Sequence, residues 1–117
     1  MTPKRGERVA PPPGPDEYDL FFATNDAAKG WADLCAQAPG NAYELWVLLR
    51  SEPAPRLRTN RHHPLKGGLS TAVYRGLALP QWQYEVTGGG RVWYLVDLRL
   101  RRVYLTYAGI GHPKATE

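Results

Sequence analysis

The chain has one cysteine, Cys35, in 117 residues, which excludes an internal disulfide and a cysteine-rich zinc site. A disulfide-stapled secreted scaffold is therefore ruled out, and a reducing compartment fits. Long apolar runs are missing as well: Leu45 to Leu49 and Val92 to Val96 are the longest, at five residues each, where a bilayer span needs about 20. Lys4, Arg5 and Arg8 are followed by the proline-rich Ala10 to Pro15 rather than by an apolar segment, so the protein is expected to be cytoplasmic, with no membrane partner. Acidic residues are absent from Pro53 to Tyr84, a stretch that holds Arg56, Arg58, Arg61, Lys66 and Arg75. The formal charge of +4 thus hides a division, −3 over residues 1–52 and +7 over residues 53–117, and the second half is a candidate surface for a polyanion.

Several chemical motifs are missing too. The sequence has no Walker loop, serine nucleophile elbow, zincin helix or EF-hand loop. Gly88, Gly89 and Gly90 are followed by a strand pattern rather than a helix, so they predict a hairpin turn and not a phosphate loop.

What is present reads as one α+β domain over residues 16–117 behind a flexible proline-rich arm, residues 1–15, which offers too few apolar groups to offset the entropy of ordering. Tyr18 to Phe22 predicts a strand, and Thr24, Asn25 and Asp26 a helix cap. Ala27, Ala28, Trp31, Leu34, Cys35 and Ala38 then mark one helical face, which Pro39 and Gly40 end. Asn41 is placed to cap a second helix, with Ala42, Leu45, Trp46 and Leu49 as its apolar stripe and Pro53 as its stop. After an irregular cationic stretch with a short strand near Ala72 to Tyr74, alternation predicts strands over Trp82 to Val86, Arg91 to Asp97 and Val103 to Tyr107. The expected architecture is an antiparallel sheet with the N-terminal helical hairpin packed on one face.

Adjacent His62 and His63 point apart in an extended chain, and the nearest carboxylates in sequence are Glu52 and Glu85, on either side of an acid-free stretch, which argues against a local metal site. Metal-free cleavage of RNA needs a base for the ribose 2′-hydroxyl, an acid for the leaving 5′-oxygen and cations for the phosphoryl charge. Such residue types are concentrated in Arg61-His62-His63-Pro64-Leu65-Lys66-Gly67, at Arg91, and in Gly111-His112-Pro113-Lys114. Trp93 and Tyr107 are the aromatic candidates for stacking a base, and both also suit packing within the sheet.

At these residues the chain resembles the RelE/ParE toxin superfamily of type II toxin-antitoxin pairs. The resemblance spans residues 18–117 and rests on the strand-helix-helix-meander order, His63-Pro64-Leu65-Lys66-Gly67, the strand Gly90-Arg91-Val92-Trp93-Tyr94-Leu95-Val96-Asp97, and Gly109-Ile110-Gly111-His112. It is nearest to the mRNA-cleaving branch that includes YafQ and HigB. The resemblance implies a microbial ribonuclease-like (RelE-like) fold and an mRNA endoribonuclease, usually ribosome-associated, that inhibits translation without metal or other cofactor. It implies His63 near the nucleophile, His112 as general acid, Arg91 on the phosphate and Lys66 as a further catalytic cation. Arg58, Arg61, His62, Arg75, Trp93 and Lys114 are the expected RNA contacts. A cognate antitoxin is the implied protein partner. The alternative reading is a non-enzymatic module of the same shape that binds RNA or a protein target such as gyrase.

Overall fold

The structure, a computed structural model, describes residues 3–111. Thr24 starts the first helix: its hydroxyl oxygen accepts the Ala27 N–H at 2.9 Å, which satisfies one of the orphan donors of the first turn. Its own hydrogen goes to the Thr106 carbonyl at 3.0 Å, so the cap also fastens the helix to the last strand. The elements are β1 (Asp19–Phe22), α1 (Asn25–Gln37), α2 (Pro39–Ser51), β2 (His62–Pro64), β3 (Thr71–Tyr74), β4 (Leu77–Glu85), β5 (Arg91–Asp97) and β6 (Arg102–Gly109), with a 3₁₀ turn over Gly67–Leu69. None of the helices among the described residues is long and apolar enough to cross a membrane.

Pro39 begins α2 instead of separating two helices, as its missing N–H allows at a first helical position. Asn41 therefore lies inside α2 and does not cap it. Its side-chain amide donates to the Val86 carbonyl at 2.8 Å, tying the helix to the end of β4.

The sheet is mixed. Its order is β1-β6-β5-β4-β2, with β3 pairing to the first half of β4. β1 runs parallel to β6 through Leu20↔Val103 and Phe21↔Tyr104, which corrects the expectation of a wholly antiparallel sheet. Pro80 marks a change of partner along β4. Residues up to it pair with β3, and from Gln81 onward the strand pairs with β5 and then β2. Arg75 and Gly76, at φ +53° and +81°, make the tight turn between β3 and β4 that the right-handed strand twist favours.

Two apolar layers follow from strand alternation. Val92, Tyr94, Val96, Val103 and Leu105 meet Ala27, Ala28, Leu34, Leu45 and Leu49 of the helices. On the other face Leu95 and Tyr104 are covered by Ala72, Tyr74 and Leu79 of the β3–β4 hairpin. That hairpin covers only part of the face, and the remainder carries the polar residues described below.

Residues 3–15, which composition reads as a flexible or loosely docked arm, lie against β1 and α2. Gly6, Glu7 and Val9 exchange main-chain hydrogen bonds of 2.5–2.9 Å with Leu20 and Phe22, so the free edge of β1 is covered. Arg8 adds a two-pronged bond to Asp19. The buried Arg50 guanidinium donates to the Pro11 carbonyl (2.7 Å), the Pro12 carbonyl (2.8 Å) and Glu17 (2.8 Å). One side chain thus satisfies acceptors that a proline-rich segment cannot satisfy itself. Arg50→Met is expected to cost about 2 kcal/mol, in the range for hydrogen bonds to a charged donor, and to release the arm. Limited proteolysis reads this directly: cleavage within residues 3–17 should appear in the variant, and equal resistance would show that Arg50 does not hold the arm.

Candidate nucleic-acid interface

The helix-free face of the sheet is organised by register. His63 lies opposite Gln83, Gln83 opposite Trp93, and Trp93 opposite Tyr107. One row further, Glu85 lies opposite Arg91 and Arg91 opposite Gly109. The Glu85 N–H donates to the Arg61 carbonyl at 2.7 Å, which extends that row to Arg61. The two rows are about 6.7 Å apart along the strands. Strand geometry therefore sets His63, Arg61 and Arg91 on one surface although 30 residues separate the first and last of these in the chain.

Glu85 sits between the two arginines. Its carboxylate is 3.2 Å from Arg91 Nη2 and 3.9 Å from Arg61 Nε. Arg91 is further held by the Thr87, Gly88 and Gly90 carbonyls at 3.0–3.3 Å, so it also braces the hairpin turn that the three glycines form. The row keeps a positive excess, with Arg91 held by the Glu85 carboxylate and Arg61 donating to the Glu85 main-chain carbonyl at 3.2 Å. Glu85 is no part of the motifs that mark the site in the sequence. Its place as the first acid after the cationic stretch, directly before a turn that ends at Arg91, was the available signal.

The neighbouring histidines have different fates. The His63 ring has Nδ1 3.0 Å from the Pro64 carbonyl, which fixes the hydrogen on Nδ1 and leaves Nε2 as the lone-pair nitrogen. His62 points to the opposite face and is buried, packed edge-on against Trp82 and Tyr84. The Tyr94 hydroxyl donates to the Pro53 carbonyl at 2.7 Å, so its oxygen accepts from His62 Nε2–H. His62 is thus a core residue, which corrects its assignment as an RNA contact: pairing with Tyr84 sets its ring on the helix side of the sheet.

Burial pushes the His62 pKa down, against a smaller upward pull from the Pro53 carbonyl and with a further lowering by His63. Burial also pushes the Tyr94 hydroxyl well up. In the unfolded chain a histidine takes up its proton near pH 6.5. Below that pH the unfolded state binds the proton more readily than the native state, so this contribution makes stability fall as pH drops from about 7.5 through 6.5. Thermal melts across this range are expected to show a shallower pH slope for His62→Gln than for the natural chain, and equal slopes would remove His62 from the acid-sensitive step.

Beside β2 lies a cavity of about 490 Å³ lined by Arg58, Thr59, Asn60, His63, Pro64, Leu65 and Lys66. His63 is shared between this cavity and the sheet face. Arg58 lies over the Trp82 ring, 5.5 Å from its centroid. Arg75 is not part of this group: it occupies the turn at the far end of β4, where it lies over Tyr74. Trp93 is buried and its indole N–H donates to Gln83 at 2.8 Å, so its ring serves packing and positioning and is closed to a base, in contrast to the expected RNA contact. Tyr107 is more open, and its hydroxyl donates to the Gly111 carbonyl at 2.9 Å. His112 and Lys114 lie outside the described residues.

In the comparisons with known proteins, no family model matches the chain, and neither does any curated protein or solved structure.

Proposed function

We propose that the chain is a metal-independent endoribonuclease with a RelE-like fold, the toxin of a type II toxin-antitoxin pair that cuts mRNA at the ribosome. The observation that carries this reading is the placement of His63, with Nε2 as its lone-pair nitrogen, on the same sheet face as Arg61 and Arg91.

In this reading His63 Nε2 takes the proton of the ribose 2′-hydroxyl. The 2′-oxygen bonds to the adjacent phosphorus, and the bond from phosphorus to the 5′-oxygen breaks. The leaving oxygen receives a proton from a general acid, the role that the family resemblance gives His112. The products are a 2′,3′-cyclic phosphate and a 5′-hydroxyl. The paired guanidiniums stand where negative charge grows on the phosphoryl oxygens, and the Glu85 clamp means that little reorganisation is needed as it does so. A cognate antitoxin with an acidic segment is the partner expected to cover this face.

One observation favours a second reading. Arg91 already has Glu85 and three carbonyls as partners, which leaves its guanidinium few donors for a reacting phosphate and suits a module that binds RNA or a protein target such as gyrase without cleaving it. Incubating the purified chain with single-stranded RNA, with and without ribosomes, and mapping the ends separates the two. Cleavage that leaves a cyclic phosphate and is blocked by a single 2′-deoxy substitution at the cut nucleotide is expected. Salt-sensitive binding with no new ends would support the binding module instead.

A further inference from the structure

We propose that the cavity beside β2 is a nucleotide subsite that holds the nucleotide flanking the cleaved phosphodiester, with Arg58 and Lys66 on its phosphate and the Asn60 amide toward its base. This rests on the ribonuclease reading, and extends it by separating Lys66 from the reacting phosphate.

Charge is the first argument. Glu85 offsets one of the two positive charges of Arg61 and Arg91, while no carboxylate pairs with Arg58 or Lys66 among the described residues and none lines the cavity. The larger uncompensated charge is therefore around the cavity rather than on the Glu85 row. A phosphodiester chain lying across His63 reaches both places, because His63 belongs to the face and to the cavity wall.

Shape and fixity are the second. About 490 Å³ is within the usual range for a small-molecule pocket. Its walls are pinned. Thr59 N–H donates to the His62 carbonyl at 2.9 Å and Thr59 Oγ1 accepts the His62 N–H at 3.1 Å, closing the turn that presents Asn60. On the other side Leu65 is buried and its N–H donates to the Gln81 carbonyl at 2.9 Å, which fixes the backbone that carries Lys66. Arg58 is held over Trp82, so its planar fork is restrained before a phosphate arrives. An exposed side-chain amide at the tip of that turn offers both a donor and an acceptor to a base edge.

The test uses the full chain and an uncleavable probe, a labelled single-stranded 2′-O-methyl RNA decamer, followed by anisotropy over a salt series. The Arg58→Ala/Lys66→Ala double variant is expected to bind it at least 10-fold more weakly. Its log affinity should fall less steeply with log salt, by about 1.4, since each single-strand phosphate contact contributes about 0.7. Arg75→Ala, at the far end of β4, serves as the charge control and should change affinity less than twofold. Asn60→Ala should flatten differences among decamers of different sequence without changing the salt slope. Equal affinity and slope for the double variant and the natural chain would overturn the subsite, and so would a loss matched by Arg75→Ala. A glutamate-rich peptide that competes as well as the decamer would also overturn it, pointing to an acidic protein segment as occupant. Cleavage by the natural chain is scored separately. If it fails while these binding results hold, the ribonuclease reading falls and the cavity stands as a nucleotide-binding site.

Discussion

Replacing His63 by alanine is expected to slow RNA cleavage by about 10²- to 10⁴-fold, the usual cost of removing a positioned acid or base, while leaving the fold intact. The ring is half-exposed at a three-residue strand on the sheet edge, so its loss opens no core cavity. Its chemistry is set by the Pro64 carbonyl, which keeps the hydrogen on Nδ1 and the lone pair on Nε2. The adjacent residue provides the contrast. His62→Ala removes a buried ring from among Trp82, Tyr84 and Tyr94 and leaves the Tyr94 hydroxyl without its donor, so it should lower the melting temperature clearly. Two neighbouring histidines are thus expected to separate activity from stability because a strand turns alternate side chains to opposite faces. Cleavage by His63→Ala at the natural rate would remove His63 from the mechanism. Glu85 would then be the group of the same face best placed to accept the proton, and Glu85→Gln the next variant to measure.

The local elements were legible because each carries its own signal. The Thr24 cap, the apolar steps of α1 and α2, the alternation of β4 and β5 and the glycine turn between them all depend on residues within a few positions of one another. What could not be read depends on distant partners. The pairing of Leu20 with Val103 is parallel, and nothing in either segment specifies its direction. β2 is a strand because Tyr84 and Gln83 lie beside it. On its own, His62-His63-Pro64 has neither the length nor the pattern of one. The seat of the arm is not in its own composition, because Arg50, about 40 residues away, supplies the donors that meet its carbonyls. The same limit applies to the candidate site. The basic and histidine residues stand out as types, and the two histidines as pointing apart, but the Glu85 pairing and which of His62 and His63 is buried follow only from register. Arg75 belonged to the cationic stretch by sequence, and the β3–β4 turn takes it to the other end of the strand.

Gly30→Ala is expected to give the largest loss of stability of any single-methyl change in α1. A Cβ built on Gly30 would lie 1.6 Å from the Ala108 carbonyl oxygen and 2.4 Å from its carbon. Both are backbone atoms of β6, so no rotamer change relieves the overlap and the helix has to lift from the sheet. Alanine improves helix propensity by about 1 kcal/mol over glycine, but overpacking a buried contact typically costs 1–3 kcal/mol and occasionally more. With backbone on both sides the upper end applies, giving a net loss of about 2 kcal/mol or more, which for a domain of this size lowers the melting temperature by roughly 10 °C. Gly40→Ala in α2 is the matched control, because nothing lies within 4 Å of its added Cβ. There the propensity gain stands alone, and the melting temperature should hold or rise. The two substitutions are chemically identical, so opposite signs isolate the seating of α1 on β6. Ala108 pairs with Val92, the neighbour of Arg91, and Thr106 accepts the hydroxyl of the helix cap. Lifting α1 therefore disturbs the strand that carries Arg91, and RNA cleavage by Gly30→Ala should fall even at temperatures where the chain remains folded. A Gly30→Ala chain that melts and cleaves like the natural one would show that α1 is not seated against Ala108.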